Sequence, residues 1–209
     1  MTARCKENDP RVIRTRRLIR DAFHSLSKEK KFNDITIRDI TERAAINRGT
    51  FYAHFADKYA LMELIVEDTF MTAVYQQLQS QEELTPEALR SLIIAVCRYH
   101  EKLSTSCKRT AQAVFPLIEM KVKSQLEQMV SNWLVKRAGK PEEEESIQWA
   151  AVMVSQAIYS AAYLWNAKGR KPSAAVFADE ILRFLLPGLE AVIGKKVSLR
   201  FLAKRQSEF

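Results

Sequence analysis

Ile19, Ala22, Phe23 and Leu26 recur at i, i+3, i+4 and i+7, the spacing that gathers apolar side chains on one face of a helix. Pro10 before them and the polar run "SKEKKFND" after them bound a first helix. The same period returns along the chain, and no stretch shows a convincing strand alternation. From about Ala56 a long helix follows Asp57 as N-cap, carries Leu61, Leu64, Ile65, Met71 and Leu78 on one side, and runs to about Ser80. Thr85 caps the next, with Pro86 at its first position, where a missing N–H costs nothing. Pro116 predicts a break or kink with helices on both sides, and Gly139 followed by Pro141 predicts a stop. In "PEEEESIQWAAVMVSQAIYSAAYLWNAKG" four glutamates complement the dipole of the first turn, and Lys168 and Gly169 close the helix. Ser173 caps a final helix with Phe177, Ile181, Leu185 and Leu189 four apart, bent at Pro187 and ended near Gly194. About nine helices and no repeat predict an all-α fold.

The segment between the first helix and the long one is built differently. Thr36 is placed to cap a helix of little more than two turns, with Ile37, Ile40 and Ala44 as its buried stripe, ending at Ala45-Ile46. Asn47 caps the next. With Phe51 and Phe55 four apart and inward, the 100° step per residue turns Gly49, Thr50 and Ala53 outward, and Tyr52 and His54 toward the flanks. Two short helices joined by a three- or four-residue turn form a helix-turn-helix, whose second helix fits the DNA major groove. Small residues such as Gly49 and Ala53 permit close approach there.

Charge agrees with that placement. Residues 1–60 hold 14 Lys and Arg against 8 Asp and Glu, the middle of the chain is nearly neutral, and residues 194–209 hold 5 against 1, within a total of +8. A basic head on a neutral body suits a polyanion at the head. Composition, 47% hydrophobic and 28% charged with five glycines, is that of a soluble helical chain. No run reaches the roughly 18 apolar residues of a membrane span and the start lacks a secretory core, which predicts a cytoplasmic protein without membrane association. Cys5, Cys97 and Cys107 form no CxxC pair and read as free thiols, with no metal site. No P-loop, GxGxxG, HExxH or GxSxG occurs, and His24, His54 and His100 lie on different helices. Neither a catalytic residue nor a cofactor is expected.

The stretch "ITIRDITERAAINRGTFYAHFADKYALMELI", with Thr36, Ile40, Ala44, Thr50-Phe51-Tyr52, Phe55 and Lys58 in place, resembles the tetracycline-repressor (TetR) family of bacterial transcription regulators. The motif covers roughly the first third of the chain; residues 80–209 match in size, helicity and position. Ala45 stands where the family commonly has Gly, a substitution costing about 1 kcal/mol if that residue is left-handed. The resemblance implies a three-helix DNA-binding head at 1–56, a larger ligand-binding and dimerisation bundle at 57–193, and a basic tail at 194–209. It implies a homodimeric repressor on an inverted-repeat DNA operator, released by a small effector. Carried over by position, Arg38, Arg48, Gly49 and Thr50 are base-proximal, and Thr36, Tyr52, His54 and Lys58 are phosphate contacts. Side-chain chemistry agrees, since Arg reads guanine, the Thr methyl suits thymine, and Tyr, His and Lys donate to phosphate. On the helical wheel Arg48 lies near the buried side.

Aromatic and polarizable residues accumulate in the body. Tyr99, Phe115, Glu119, Trp133, Trp149 and Met153 are candidates for an effector pocket, and equally for core, with His100 or Gln156 available to orient a ligand. Tyr159, Tyr163, Phe177, Ile181 and Phe184 lie on the last two long helices, where the resemblance places a dimer interface of four helices; intramolecular core is the other reading. The tail reads as a solvated end or as an extra DNA or partner contact. The expected effector is small and largely apolar, and the long helix from Asp57 is the expected relay between body and head. The alternative is a DNA-binding activator whose body binds a protein and no inducer.

Overall fold

The computed structural model describes residues 9–78, 83–106, 114–138 and 144–193. Among them are eight α-helices, one 3-10 turn and no strand: α1 (Pro10–Glu29), the 3-10 turn (Phe32–Asp34), α2 (Ile37–Arg43), α3 (Arg48–Tyr52), α4 (Lys58–Leu78), α5 (Pro86–Ser106), α6 (Phe115–Ala138), α7 (Glu144–Ala167) and α8 (Ala174–Ile193). The all-α fold, a helix-turn-helix head followed by a helical body, is therefore the observed one. The helix end expected near Ser80, the stop at Gly139 and Pro141, Glu142, Glu143, the end at Gly194, the basic tail, Cys5 and Cys107 lie outside the described residues. Two compact units are formed, Met1–Val66 with Ser104–Ile118, and Glu67–Leu103 with Glu119–Phe209.

In the first unit, Asp9 caps α1 by accepting from the Arg11 N–H at 2.8 Å, and Pro10 occupies the first helical position. All four residues of the expected stripe, Ile19, Ala22, Phe23 and Leu26, are buried. Full burial of a side chain as large as Ile19, Phe23 or Leu26 stabilises by about 1.5–3 kcal/mol relative to exposure. "SKEKKFND" does more than end the helix: Phe32 opens the 3-10 turn and inserts into the core, edge-on to Phe23 at 6.1 Å and to Tyr59 at 5.2 Å. Thr36 and Asp39 form a capping box on α2, the Asp39 N–H donating to Thr36 Oγ1 at 3.1 Å and the Thr36 N–H to Asp39 Oδ2 at 2.9 Å. Arg43 grips Glu29 with two bonds of 2.9 Å and Lys30 meets Asp39 at 2.8 Å, so α1 and α2 are joined at both ends of α2.

The second unit is built on α5, whose residues from Leu92 to Cys97 are all buried, as expected of a helix enclosed by neighbours. Thr85 caps it, accepting from the Ala88 N–H at 3.0 Å. Asp57 caps α4 likewise, but the buried stripe of α4 is Met62, Val66, Phe70, Val74 and Leu78, together with Leu61. The expected Leu64, Ile65 and Met71 are only half-buried, because apolar residues surround this helix and the packing chose the face. Pro116 lies in the first turn of α6, so the expected break is that helix's start, and the segment before it is not among the described residues. Helix α8 continues through Pro187 and buries Ala178, Leu182, Leu185, Leu186, Leu189 and Ile193. Of its predicted stripe, Phe177 and Ile181 are half-buried and Leu185 and Leu189 are core. Arg90 Nε donates to Asp179 at 2.6 Å, tying α5 to α8.

Candidate nucleic-acid interface

The turn between α2 and α3 is closed by the Ala44 N–H donating to Ile40 O at 2.9 Å and the Ile46 N–H to Thr41 O at 3.0 Å. Ala45, between them, has φ of 53°. A residue with a Cβ in this left-handed region costs about 1–2 kcal/mol, which the closed turn must offset. Asn47 then starts α3, its Oδ1 accepting from both the Thr50 N–H at 2.7 Å and the Thr50 hydroxyl at 3.0 Å.

Two rings anchor α3 from below. Phe51 and Phe55 are buried 5.7 Å apart, and the other side of the segment is left to solvent. Arg48, Gly49, Tyr52 and Ala53 are exposed, Tyr52 at 56%. Arg48 thus reaches outward from the first turn, although the helical wheel puts it near the buried side. A Cβ at Gly49 would come 3.3 Å from Asn47 Oδ1, so even alanine presses on the cap that sets the helix. Thr50 is half-buried with its hydroxyl proton committed to Asn47, leaving its methyl and an oxygen lone pair. Arg38 is exposed and held by Glu42 at 2.7 Å, which extends it along α2. His54 is half-buried, and burial together with the charge of Arg16 lowers its pKa, so it stands neutral with one N–H to donate.

Thr36 and Lys58, expected at phosphates, are each hydrogen-bonded within the head. The Thr36 hydroxyl donates to Asp39 Oδ2 at 2.8 Å while accepting from the Asp39 N–H, so it is a helix cap. Lys58 donates to the carbonyls of Phe32, Asn33 and Ile35 at 2.9, 3.1 and 2.9 Å. An ammonium has three donors, and all three are used on the turn that leads into α2. Its charge also sits 4.7 Å over the Phe32 ring. Lys58 therefore pins the start of α4 to the start of the helix-turn-helix. No local signal in the sequence announces this, because the partners lie 23 to 26 residues upstream.

The body residues sort by burial. Tyr99 and Trp133 are buried, Glu119 pairs with Lys123 at 2.6 Å, and Phe115 opens α6 half-buried in the first unit. Trp149 and Met153, expected to line a pocket, are 60% and 63% exposed. They share an outer face of α7 with Tyr163 and Leu164. Conversely Tyr159, expected at an interface, is 2% exposed and packs inside its own unit, 4.8 Å from the His100 ring. Phe184 is 78% exposed. Cys97 is a buried free thiol whose pKa burial pushes up to about 12.

Residues 19–65 match the family described as bacterial regulatory proteins, tetR family. Over 63 residues the chain is 41% identical to the uncharacterized HTH-type transcriptional regulator YxbF of Bacillus subtilis, covering 30% of this chain and 17% of that protein. Over 63 residues it is 33% identical to the dhaKLM operon transcriptional activator DhaS of Lactococcus lactis, covering 30% of this chain and 34% of DhaS. The chain thus spans about a third or less of these curated relatives. Its fold is shared with a TetR transcriptional regulator from Streptococcus agalactiae, with a TM-score of 0.56 at 20% identity, over 87% of this chain and 98% of that one. The helix-turn-helix set by Thr36, Asn47, Phe51 and Phe55 thus lies inside the segment that matches the tetR family of bacterial regulatory proteins.

Proposed function

We propose that this protein is a transcription regulator that binds an inverted-repeat DNA operator as a homodimer and leaves it when a small, largely apolar effector occupies the body. The observation that carries this reading is α3, a rigidly capped helix with Phe51 and Phe55 inward and Arg48, Gly49, Tyr52 and Ala53 outward. In this reading residues 1–56 are the DNA-binding part and residues 57–193 the effector and dimer part. Arg38, Arg48, Gly49 and Thr50 meet base edges, while Tyr52 and His54 meet phosphates. A tie made by Lys58 and a cap made by Thr36 position them. Trp149, Met153, Tyr163 and Leu164 on α7, with Val176 and Phe184 on α8, are too many exposed large apolar side chains for a finished surface, which supports a second copy as their cover. A second reading, activation of transcription, is favoured by the match to DhaS, itself described as an activator.

The experiment is selection of a preferred sequence from random DNA, followed by fluorescence anisotropy on that sequence and on scrambled DNA. Thr50→Ala should weaken the selected sequence more than the scrambled one, because base contacts specify and phosphate contacts only position. The log-log salt slope should be on the order of −4 to −8 for two heads with several phosphate contacts each. A flat salt response, or equal losses on both DNAs, would remove this assignment.

A further inference from the structure

Two of the buried polar atoms that have no hydrogen-bond partner among the described residues of the second unit come from facing rings. They are Nε2 of His100 on α5 and the phenolic oxygen of Tyr159 on α7, on side chains only 3% and 2% exposed. The two rings lie 4.8 Å apart at 65°. Burying a polar group unpaired is unfavourable, and two such groups on rings in contact mark a place that a polar atom from outside would fill.

The surroundings specify that guest. Tyr163, one turn beyond Tyr159, brings its ring to 5.8 Å from His100, and Tyr99 lies 6.0 Å from it on the same helix, backed by Phe70 at 5.3 Å from Tyr99. The neighbours are aromatic. Beside them, the half-buried Glu119–Lys123 pair closes at 2.6 Å, with the Lys123 ammonium 5.2 Å over the Tyr159 ring. Lys123's charge is therefore already matched, and the carboxylate of Glu119 acts on both His100 and Tyr159. An anionic guest would meet that carboxylate and lose its hydration as well. A hydroxyl suits both tautomers of neutral His100, since it donates to a bare Nε2 or accepts from Nε2–H, and pairs with the Tyr159 hydroxyl in the complementary sense. A ketone only accepts.

We infer that the His100–Tyr159 cluster binds a small neutral aromatic molecule of the phenol class, its ring among Tyr99, Tyr159 and Tyr163 and its hydroxyl bridging His100 Nε2 and the Tyr159 hydroxyl. This deepens the proposed function and rests on it for the word effector, though binding itself does not.

The test is isothermal titration of the full-length protein with phenol, 4-methylphenol and 1-naphthol, with toluene and benzoate as controls. At least one phenol should saturate at one site per chain, toluene should bind about tenfold more weakly, and benzoate should not bind. Tyr159→Phe keeps the ring and should lose about tenfold in affinity for the phenol, with little change for toluene. In wild-type protein labelled with 15N in its imidazoles, the His100 Nε2 resonance should move as phenol is added. Three results would each overturn the site: no phenol saturates the wild type, Tyr159→Phe binds phenol as well as wild type does, or the His100 resonance stays still. DNA anisotropy on the same preparations separates the two claims. Phenol binding without DNA binding would keep the site and remove the regulator, and the reverse outcome would keep the regulator and remove the site.

Discussion

Lys58 shows how one residue's role depends on what it touches. A flexible cation beside a recognition helix suits a phosphate, yet its three donors are spent on Phe32, Asn33 and Ile35 carbonyls, and partial burial lowers its pKa. Lys58→Met keeps much of the packing and removes the bonds, so it should destabilise the fold by about 2 kcal/mol. Thermal unfolding measures this; an unchanged midpoint together with weakened DNA binding would return Lys58 to the phosphates. His100 makes a second prediction. Burial pulls its pKa down to about 4, from 6.5 when unfolded. Between these values the unfolded chain binds the extra proton, so stability is full above about pH 6.5 and falls as pH drops toward 4. The loss is about 3 kcal/mol. Urea midpoints at pH 7.5 and 4.5 should differ accordingly, and His100→Phe should flatten the difference.

At the scale of elements, α3 is only five residues long and cannot hold itself together. Its conformation comes from Asn47 at its start, the two phenylalanines beneath and the turn before it, where Ala45 carries its strain. Helices α7 and α8 raise the opposite problem, since each has apolar side chains on more faces than one contact requires. Tyr159 and Ile158 point in, while Trp149, Met153, Tyr163 and Phe184 point out. If a second copy covers them, Trp149→Glu with Phe184→Glu should yield monomers. Both sites are exposed, so helicity by circular dichroism should stay within a few per cent of wild type, and DNA affinity should fall because one head makes half the contacts. Sedimentation that still shows a dimer would move the interface elsewhere.

For the whole molecule, control by an effector is a coupling between two binding events. Helix α4 runs unbroken from Lys58 to Leu78 and belongs to both units, whose division falls at Val66–Glu67. In the proposed dimer, two recognition helices must meet half-sites about 34 Å apart. A ligand that shifts α4 by a few ångströms would spoil simultaneous docking. Linkage then requires the factor by which a phenol weakens operator binding to equal the factor by which operator weakens phenol binding. Titrating the phenol with and without saturating operator measures both. Equal phenol affinity in the two titrations would mean that the body does not control the head.

Features that neighbours along the chain decide could be read from the residues alone. Thr36, Asn47, Asp57, Thr85 and Ser173 cap helices because a side-chain oxygen reaches an N–H two or three residues on. Phe51 and Phe55 turn inward because a helix advances 100° per residue. The helix-turn-helix is legible for that reason, and so are the all-α fold and the strained Ala45. Tertiary structure decided what depends on distant partners. Lys58 became a pin through carbonyls more than twenty residues away. The apolar residues around α4, α6 and α7 carry no single stripe, so only packing could put Phe70 and Tyr159 inside and Trp149 and Met153 outside. His100 and Tyr159 lie 59 residues apart on different helices, each unremarkable in its own segment. Their rings come within 4.8 Å only because folding brings α5 and α7 together at that point, and a cost created by burial has no trace in a linear pattern.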